Sequence, residues 1–186
     1  MKKTPLIIAF SSLVLLTACG GRTGSSQTDA DSTAQAVPAN GPRSADGDLQ
    51  RESSVTLGGH QYTISIHRYA DKSLSTVKDE LGQEFFDNSV EIRIQRDGSS
   101  FYSKTFTKEA FLNHLSAADR TSTILLGMAF DAERSEANTL CFGAQIGQPG
   151  IESGPAFTVL IPTDGNAVSI LRDTVQDTSG SQPEGD

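Results

Sequence analysis

The stretch Ser89–Lys104, SVEIRIQRDGSSFYSK, is the most informative about the fold, because it reads as two strands joined by a tight turn. Its apolar residues Val90, Ile92 and Ile94 alternate with polar ones, which is typical of a strand with one face on a core. Asp97-Gly98 accepts the positive φ that a two-residue hairpin turn requires. The turn predicts these pairs across the hairpin: Arg96 with Ser99, Ile94 with Phe101, Arg93 with Tyr102, and Glu91 with Lys104.

The same alternation recurs on both sides of this hairpin. It indicates strands around five further groups of apolar residues: Tyr62, Ile64 and Ile66; Ile124, Leu126, Met128 and Phe130; Leu140, Phe142, Ala144 and Ile146; Phe157, Val159 and Ile161; Val168 and Ile170. A second turn at Asp164-Gly165 predicts that Ile161 opposes Val168 and that Val159 opposes Ile170.

One short helix is predicted over residues 108–115. Thr107 is placed to cap it, Glu109 lies in its first turn, and Phe111 and Leu115 form its buried face. The sum is a mainly β domain over residues 55–172. We expect an antiparallel sandwich or an open barrel of about seven or eight strands with this one helix.

The first residues predict that the protein is exported to the bacterial cell envelope. Lys2 and Lys3 precede an apolar run that is shorter than the ~20 residues of a membrane-spanning helix but suits a secretory signal. Leu16-Thr17-Ala18-Cys19 resembles the bacterial lipobox, which implies cleavage after residue 18 and lipidation of Cys19. Because no acidic residue follows Cys19 closely, we expect the lipid to hold the protein in the outer membrane, facing the periplasm.

The segments that flank the domain are polar. Residues 19–54 contain no aromatic residue and are predicted to be a flexible tether, and residues 173–186 are predicted to be a disordered tail. With Cys19 lipidated, Cys141 has no partner for a disulfide, and it is expected to be a small buried residue.

The charge balance excludes some partners. The chain has 15 basic and 23 acidic residues and a net charge of −8. Loss of residues 1–18 removes two lysines, so 13 basic and 23 acidic residues remain, a net charge of −10. Nucleic acid is therefore not expected as a partner, since binding to it depends on basic patches.

No catalytic or cofactor-binding motif is present in the sequence. His60 and His67 are seven residues apart, so in one strand they leave opposite faces, and no metal site is predicted. Asp87 and Glu91 are carboxylates that could be argued for as a hydrolase pair, but the sequence alone does not identify such a pair, and Asp87-Asn88 is better explained as a turn before the strand at Val90. A possible ligand face is assembled from the few amphipathic aromatic residues and their polar neighbours: Tyr62, His67, Tyr69, Arg93 and Tyr102.

The central stretch from Asp79 to Phe111 combines a Phe-Asp-Asn turn, an alternating strand, Arg-Asp-Gly and the sequence FTKEAF. In these features it resembles a family of small uncharacterised lipoproteins from Bacteroides, Prevotella and related bacteria, a domain of unknown function. The resemblance supplies no activity to transfer. It does imply O-glycosylation where Asp precedes Ser or Thr and a small or aliphatic residue follows, as at Ser32 and Thr174.

These observations leave three functions open. The first is a non-enzymatic envelope lipoprotein whose tethered domain binds an envelope protein or glycan. The second is a hydrolase of envelope glycan or peptide whose carboxylates the sequence does not identify. The third is a carrier of a small ligand, should the strands close around a cavity.

Overall fold

The computed structural model of the chain describes residues 41–178, which contain two four-stranded antiparallel sheets. The first sheet has the order β1-β2-β5-β6, with β1 at Leu49–Leu57, β2 at His60–Ala70, β5 at Asn88–Arg96 and β6 at Ser99–Phe106. The second has the order β10-β9-β8-β7, with β7 at Ile124–Glu136, β8 at Thr139–Gly147, β9 at Ala156–Pro162 and β10 at Ser169–Arg172. The short strands β3 (Thr76–Lys78) and β4 (Glu84–Phe86) pair with each other.

The two large sheets pack face to face around one core. Alternate residues of β2 and β5 meet alternate residues of β8 and β9, and the largest fully buried side chains include Tyr62, Phe106, Phe111, Phe142 and Phe157. The prediction of a mainly antiparallel β fold is confirmed, and the arrangement is a sandwich. The described residues contain ten strands rather than seven or eight, because β1, β3 and β4 carry no apolar alternation that would reveal them.

The ordered domain is wider than the predicted range of 55–172. β1 begins at Leu49, inside the predicted tether, and it pairs with β2 from Leu49 opposite Arg68 to Leu57 opposite His60. Most β1 side chains are exposed, so backbone pairing, rather than burial, orders this strand. At the other end Asp173 is buried, although the prediction assigns it to the tail. Residues 1–40 and 179–186, with the predicted signal, Cys19 and Ser32, lie outside the described range.

The central hairpin turns where predicted but its register differs. Asp97 and Gly98 have φ of 51° and 79°, and Arg96 faces Ser99 as expected. A β-bulge after Ile94 then shifts the pairing, so that Ile94 opposes Tyr102. The bulged residue Phe101 makes an edge-to-face contact with the Tyr62 ring, 6.1 Å between centroids. The predicted pairs of Ile94, Arg93 and Glu91 are therefore wrong by one residue.

The second predicted hairpin is only partly formed. Val159 opposes Ile170 as predicted, but β10 begins at Ser169, so Val168 is not paired with Ile161. The Asp164 carboxylate instead accepts a bond from the Asn166 backbone N–H, 3.0 Å, within a longer loop.

Two helical segments replace the single predicted helix. Lys108–His114 is a 3-10 helix that buries Phe111, and the Thr107 side chain makes no capping bond to it. Ala117–Ser122 forms the α-helix α1, in which the Ser116 hydroxyl accepts a bond from the Asp119 backbone N–H. Within residues 41–178 no helix is long and apolar enough to cross a membrane.

Candidate functional site

The structure does not bring the five predicted ligand-face residues together. Tyr62 is 1% exposed and belongs to the core, so its place on a ligand face is wrong. Tyr102 packs against the same core, its hydroxyl is buried with no hydrogen-bond partner among residues 41–178, and burial raises its pKa. His67, Tyr69 and Arg93 do lie on the outer side of the first sheet, since they alternate with the core residues of β2 and β5.

His67 and Tyr69 border a shallow depression of about 530 Å³. Their ring centroids are 5.0 Å apart, and the polar segment that precedes β1 forms the opposite wall. The His67 Nε2 atom lies 3.9 Å from an Asp48 carboxylate oxygen. Arg93 does not line this depression; its guanidinium binds Glu91 at 2.8 Å and remains 67% exposed. The rest of this outer face is polar and regular: Gln50, Glu52, Ser54, Thr63, Ser65, Gln95, Ser103 and Thr105.

A larger groove of about 1060 Å³ lies on the second sheet. It follows β7 from residue 126 to residue 134 and extends over the outer face of β8 and β9. Gly127, Ala129 and Gly143 lie on that face. Because these residues have a small side chain or none, the surface of the sheet is recessed there. The loop between β8 and β9, with Ile151 and Glu152, lines it as well.

An arginine held by two carboxylates lines this groove. The Arg134 Nε atom is 2.6 Å from Asp131, and its Nη1 atom is 2.7 Å from Asp173 and 3.2 Å from the Thr158 hydroxyl. These hydrogen bonds hold the pKa of both Asp131 and Asp173 below the usual range and raise the pKa of the guanidinium. We call Asp131, Arg134, Thr158 and Asp173 the Arg134 clamp.

Cys141 lies beside the Arg134 clamp and is buried. It pairs with Asp131 across the strands, so its side chain is on the outer side of the sheet and not in the core between the sheets. Its backbone N–H donates to the Ser135 hydroxyl at 2.9 Å, and that hydroxyl donates to the Asp131 carbonyl at 2.6 Å. Burial raises the pKa of the Cys141 thiol. The predicted burial of Cys141 is confirmed.

Arg68 also lines the groove. It donates to the Leu126 carbonyl of β7 at 2.7 Å, to Gly47 at 3.0 Å and to the Asp46 carboxylate at 3.1 Å. It therefore connects the first sheet, the second sheet and the segment before β1 in one place.

The two carboxylates considered for hydrolysis lie in different surroundings, Asp87 just before β5 and Glu91 on the outer face of that strand. Asp87 is buried, accepts backbone bonds from Asn88 at 2.7 Å and Leu125 at 2.8 Å, and lies 3.5 Å from the Lys108 ammonium. Burial raises the pKa of Asp87 in spite of these bonds. Glu91 instead faces outward and binds Arg93. Asp87 thus joins the start of β5 to β7, whereas Glu91 lies on the outer face of the first sheet.

The remaining candidates are dispersed. His60 contacts Asp97 at 2.6 Å, and no group of three metal-ligating side chains occurs in the part of the chain that the structure describes. Thr174 is exposed, and the Asp173 that precedes it is engaged by Arg134. No sequence pattern indicated the Arg134 clamp. Asp131 and Arg134 are three residues apart, but nothing local points to Asp173, which lies 39 residues from Arg134 along the chain.

These features define a β-sandwich protein with an open groove on one outer face. Its family model matches residues 27–170, and the chain belongs to that family, a domain of unknown function designated DUF4738. The match begins well before residue 55, the predicted start of the domain. The comparison with curated proteins gives no match.

Proposed function

We propose that this protein is a lipid-anchored component of the bacterial cell envelope, in the outer membrane and facing the periplasm, whose sandwich binds an envelope protein or glycan without catalysis. The lipobox-like Leu16–Cys19 supports the anchor, and it also supports a place among the small lipoproteins of Bacteroides-type bacteria. Since the mature chain is acidic, the lipid rather than protein charge holds it at the membrane.

The groove along β7 is the observation that carries the binding role. It is an accessible concave surface with a floor of small residues, and its arginines are held in place by ion pairs. Polar groups that are held in place around a recessed surface can recognise a partner whose charged and hydrogen-bonding groups complement them.

The geometry favours binding over hydrolysis. A glycosidase needs one carboxylic acid whose pKa is raised, so that it can donate a proton. Asp131 and Asp173 are the carboxylates that meet at the Arg134 clamp, and the pKa of each is lowered by the guanidinium. Both groups are therefore ionised acceptors at neutral pH. The space between the sheets is filled by aromatic and aliphatic side chains, which is unfavourable to a carrier of a small ligand.

The anchor is tested by replacing Cys19 with Ala in the full chain expressed in a bacterium that processes lipoproteins. The variant is expected to leave the membrane fraction and to lack the mass of the acyl groups. The same mass measurement tests the predicted O-glycosylation of Ser32 and Thr174. Unchanged membrane partitioning and mass would refute the anchor.

The binding surface is tested by placing a photoreactive amino acid at Ala129 in the groove and, as a matched control, at Ser103 of the first sheet, which is likewise exposed. Irradiation of intact cells is expected to give a defined adduct from position 129 and none from position 103. Adducts from position 103 alone would move the binding surface to the first sheet.

A further inference from the structure

The two sheets have four edge strands between them, and in three of these an inward-pointing charge or a short length opposes pairing with another chain. Inward-pointing charges, bulges and short length all protect an edge from strand addition. On β1, Arg51 opposes the core residue Ile66. On β6, Lys104 opposes the core residue Ile92 beside a bulge. β10 is only four residues long.

The edge of β7 lacks such a charge over its central residues. Gly127–Asp131 pairs regularly with β8 between two bulges, and residues 127–130 are uncharged. Successive residues of β7, both core-facing and outward-facing, line the groove. A groove can be lined in this way when it passes along the edge of a strand, because neighbouring side chains leave opposite faces.

The charge of the groove favours a basic occupant. Two arginines and five acidic residues line it, so its formal charge is 2 − 5 = −3. The arginines bind Asp46, Asp131 and Asp173. Among the described residues, Glu133 and Glu152 have no such cationic partner and are exposed.

We propose that β7 accepts an extended, basic segment of a partner polypeptide as an added strand. This inference rests on the proposed binding function and names the partner class for the same groove. The added strand pairs with Gly127–Asp131, its main chain supplies the hydrogen bonds, and Lys or Arg side chains meet Glu133 and Glu152. The bulges limit regular pairing to about five residues. A second copy of this chain is disfavoured, because the chain itself carries a net charge of −8.

The test uses three blocked synthetic peptides with the full chain. The first has the sequence KVTVTVK, the second is EVTVTVE, and the third is the first peptide N-methylated at alternate amides. We expect the basic peptide to bind about tenfold more tightly than the acidic one, and N-methylation to abolish binding. The bound basic peptide should slow hydrogen exchange of those β7 amides that face away from β8, as observed by NMR.

Two charge reversals locate the site. Glu133→Lys in the groove should weaken binding of the basic peptide about fivefold, whereas the matched Glu52→Lys on the exposed face of the first sheet should leave it unchanged. Thermal unfolding of both variants verifies that they remain folded.

Three outcomes would overturn the inference: no peptide binds, the N-methylated peptide binds as well as its parent, or protection appears on β1 or β6. If sedimentation shows that the chain dimerises through β7, the occupant of this edge is a second copy of the chain and not a segment of a partner. The cross-link at position 129 keeps the two proposals distinguishable. A glycan adduct there without peptide binding rejects strand addition but leaves the binding function, whereas absence of an adduct at both position 129 and position 103 rejects the binding function.

Discussion

The outer face of the first sheet and that of the second sheet arise from the same antiparallel alternation but differ in what covers them. On the first sheet, Thr63 and Ser65 and their neighbours are polar side chains directed toward solvent. On the second sheet, the corresponding positions hold Ala129, Gly143 and the buried Cys141. The end of β7, the β8–β9 loop and the residues after β10 border this second face.

This difference shows that an outward position is not necessarily a solvated one. Alternation decides the side of the sheet on which a side chain lies, while the neighbouring chain decides whether water reaches it. The covering segments of the second sheet depend on a few specific interactions, and each of these can be removed separately.

The largest effect is expected where the β8–β9 loop turns back against β8. Gly154 has a φ of +150°, and a Cβ atom there would lie 2.2 Å from the Ile146 carbonyl oxygen. Gly154→Ala should therefore lower the free energy of unfolding by about 3 kcal/mol, measured by urea denaturation.

Its matched control is Gly59 in the β1–β2 hairpin. Gly59 has a φ of +82°, and apart from Gly59 and its two chain neighbours no atom of the described residues lies within 4 Å of the position that a Cβ atom would occupy there. Gly59→Ala should cost only about 1 kcal/mol for the left-handed conformation. Equal losses for the two variants would show that steric contact at Gly154 is not the cause.

The next largest effect is expected from a comparison of two arginines, one on the outer face of each sheet. Arg134→Ala leaves Asp173, whose side chain is 7% exposed, without its cation. Since Arg134 itself is 43% exposed, solvent screening reduces the loss, and we expect about 2 kcal/mol. Arg93→Ala removes a pair whose arginine is 67% exposed and should cost less than about 0.5 kcal/mol. Similar urea midpoints for both variants would contradict the clamp.

The degree to which Cys141 is shielded from solvent can be measured as the rate at which its thiol reacts. In a Cys19→Ala background, we expect the Cys141 thiol to react slowly with a disulfide reagent, because it is buried and its pKa is raised. Arg134→Ala should increase the rate about tenfold, equivalent to ~1.4 kcal/mol of opening free energy. A cysteine placed at exposed Ser103, with Cys141→Ser, should react at once. A fast wild-type reaction would place Cys141 in contact with solvent.

The smallest effect is the dependence of the Arg134 clamp on pH. The lowered pKa of Asp131 and Asp173 means that their stabilising contribution is complete above the ordinary aspartate pKa and is lost as pH falls through the lowered values. The stability difference between wild type and Arg134→Ala should therefore be constant from pH 7 to about 5 and shrink toward pH 3. Denaturation curves with the same difference at pH 7 and pH 3 would exclude this linkage.

The parts of the fold that follow from local pattern were predictable. The turn at Asp97-Gly98 and the faces of β2, β5, β8 and β9 follow from adjacent residues. The bulge after Ile94 was not predictable, because it accompanies the contact between Phe101 and Tyr62, which lie on different strands. β1 was missed because most of its side chains are polar and exposed on both faces, and such a sequence cannot be distinguished from that of a flexible tether.

The candidate site was less predictable than the fold. His67, Tyr69 and Arg93 lie on an outer face, whereas Tyr62 and Tyr102 pack into or against the core. The groove and the Arg134 clamp had no signal in the sequence. Their residues come from β7, β8, β9 and the segment after β10, and none of these is a motif by itself.

Composition and periodicity alone establish the antiparallel β class, the side of the sheet on which most strand residues lie, and the acidic charge of the chain. These properties depend on residue types and on a period of two residues, which any short segment displays. Packing of the chain in three dimensions was needed to establish that two sheets form a sandwich, that Cys141 is covered, and that Arg134 meets Asp173. Such contacts join residues far apart in the chain, and their free energy exists only after the sheets have packed.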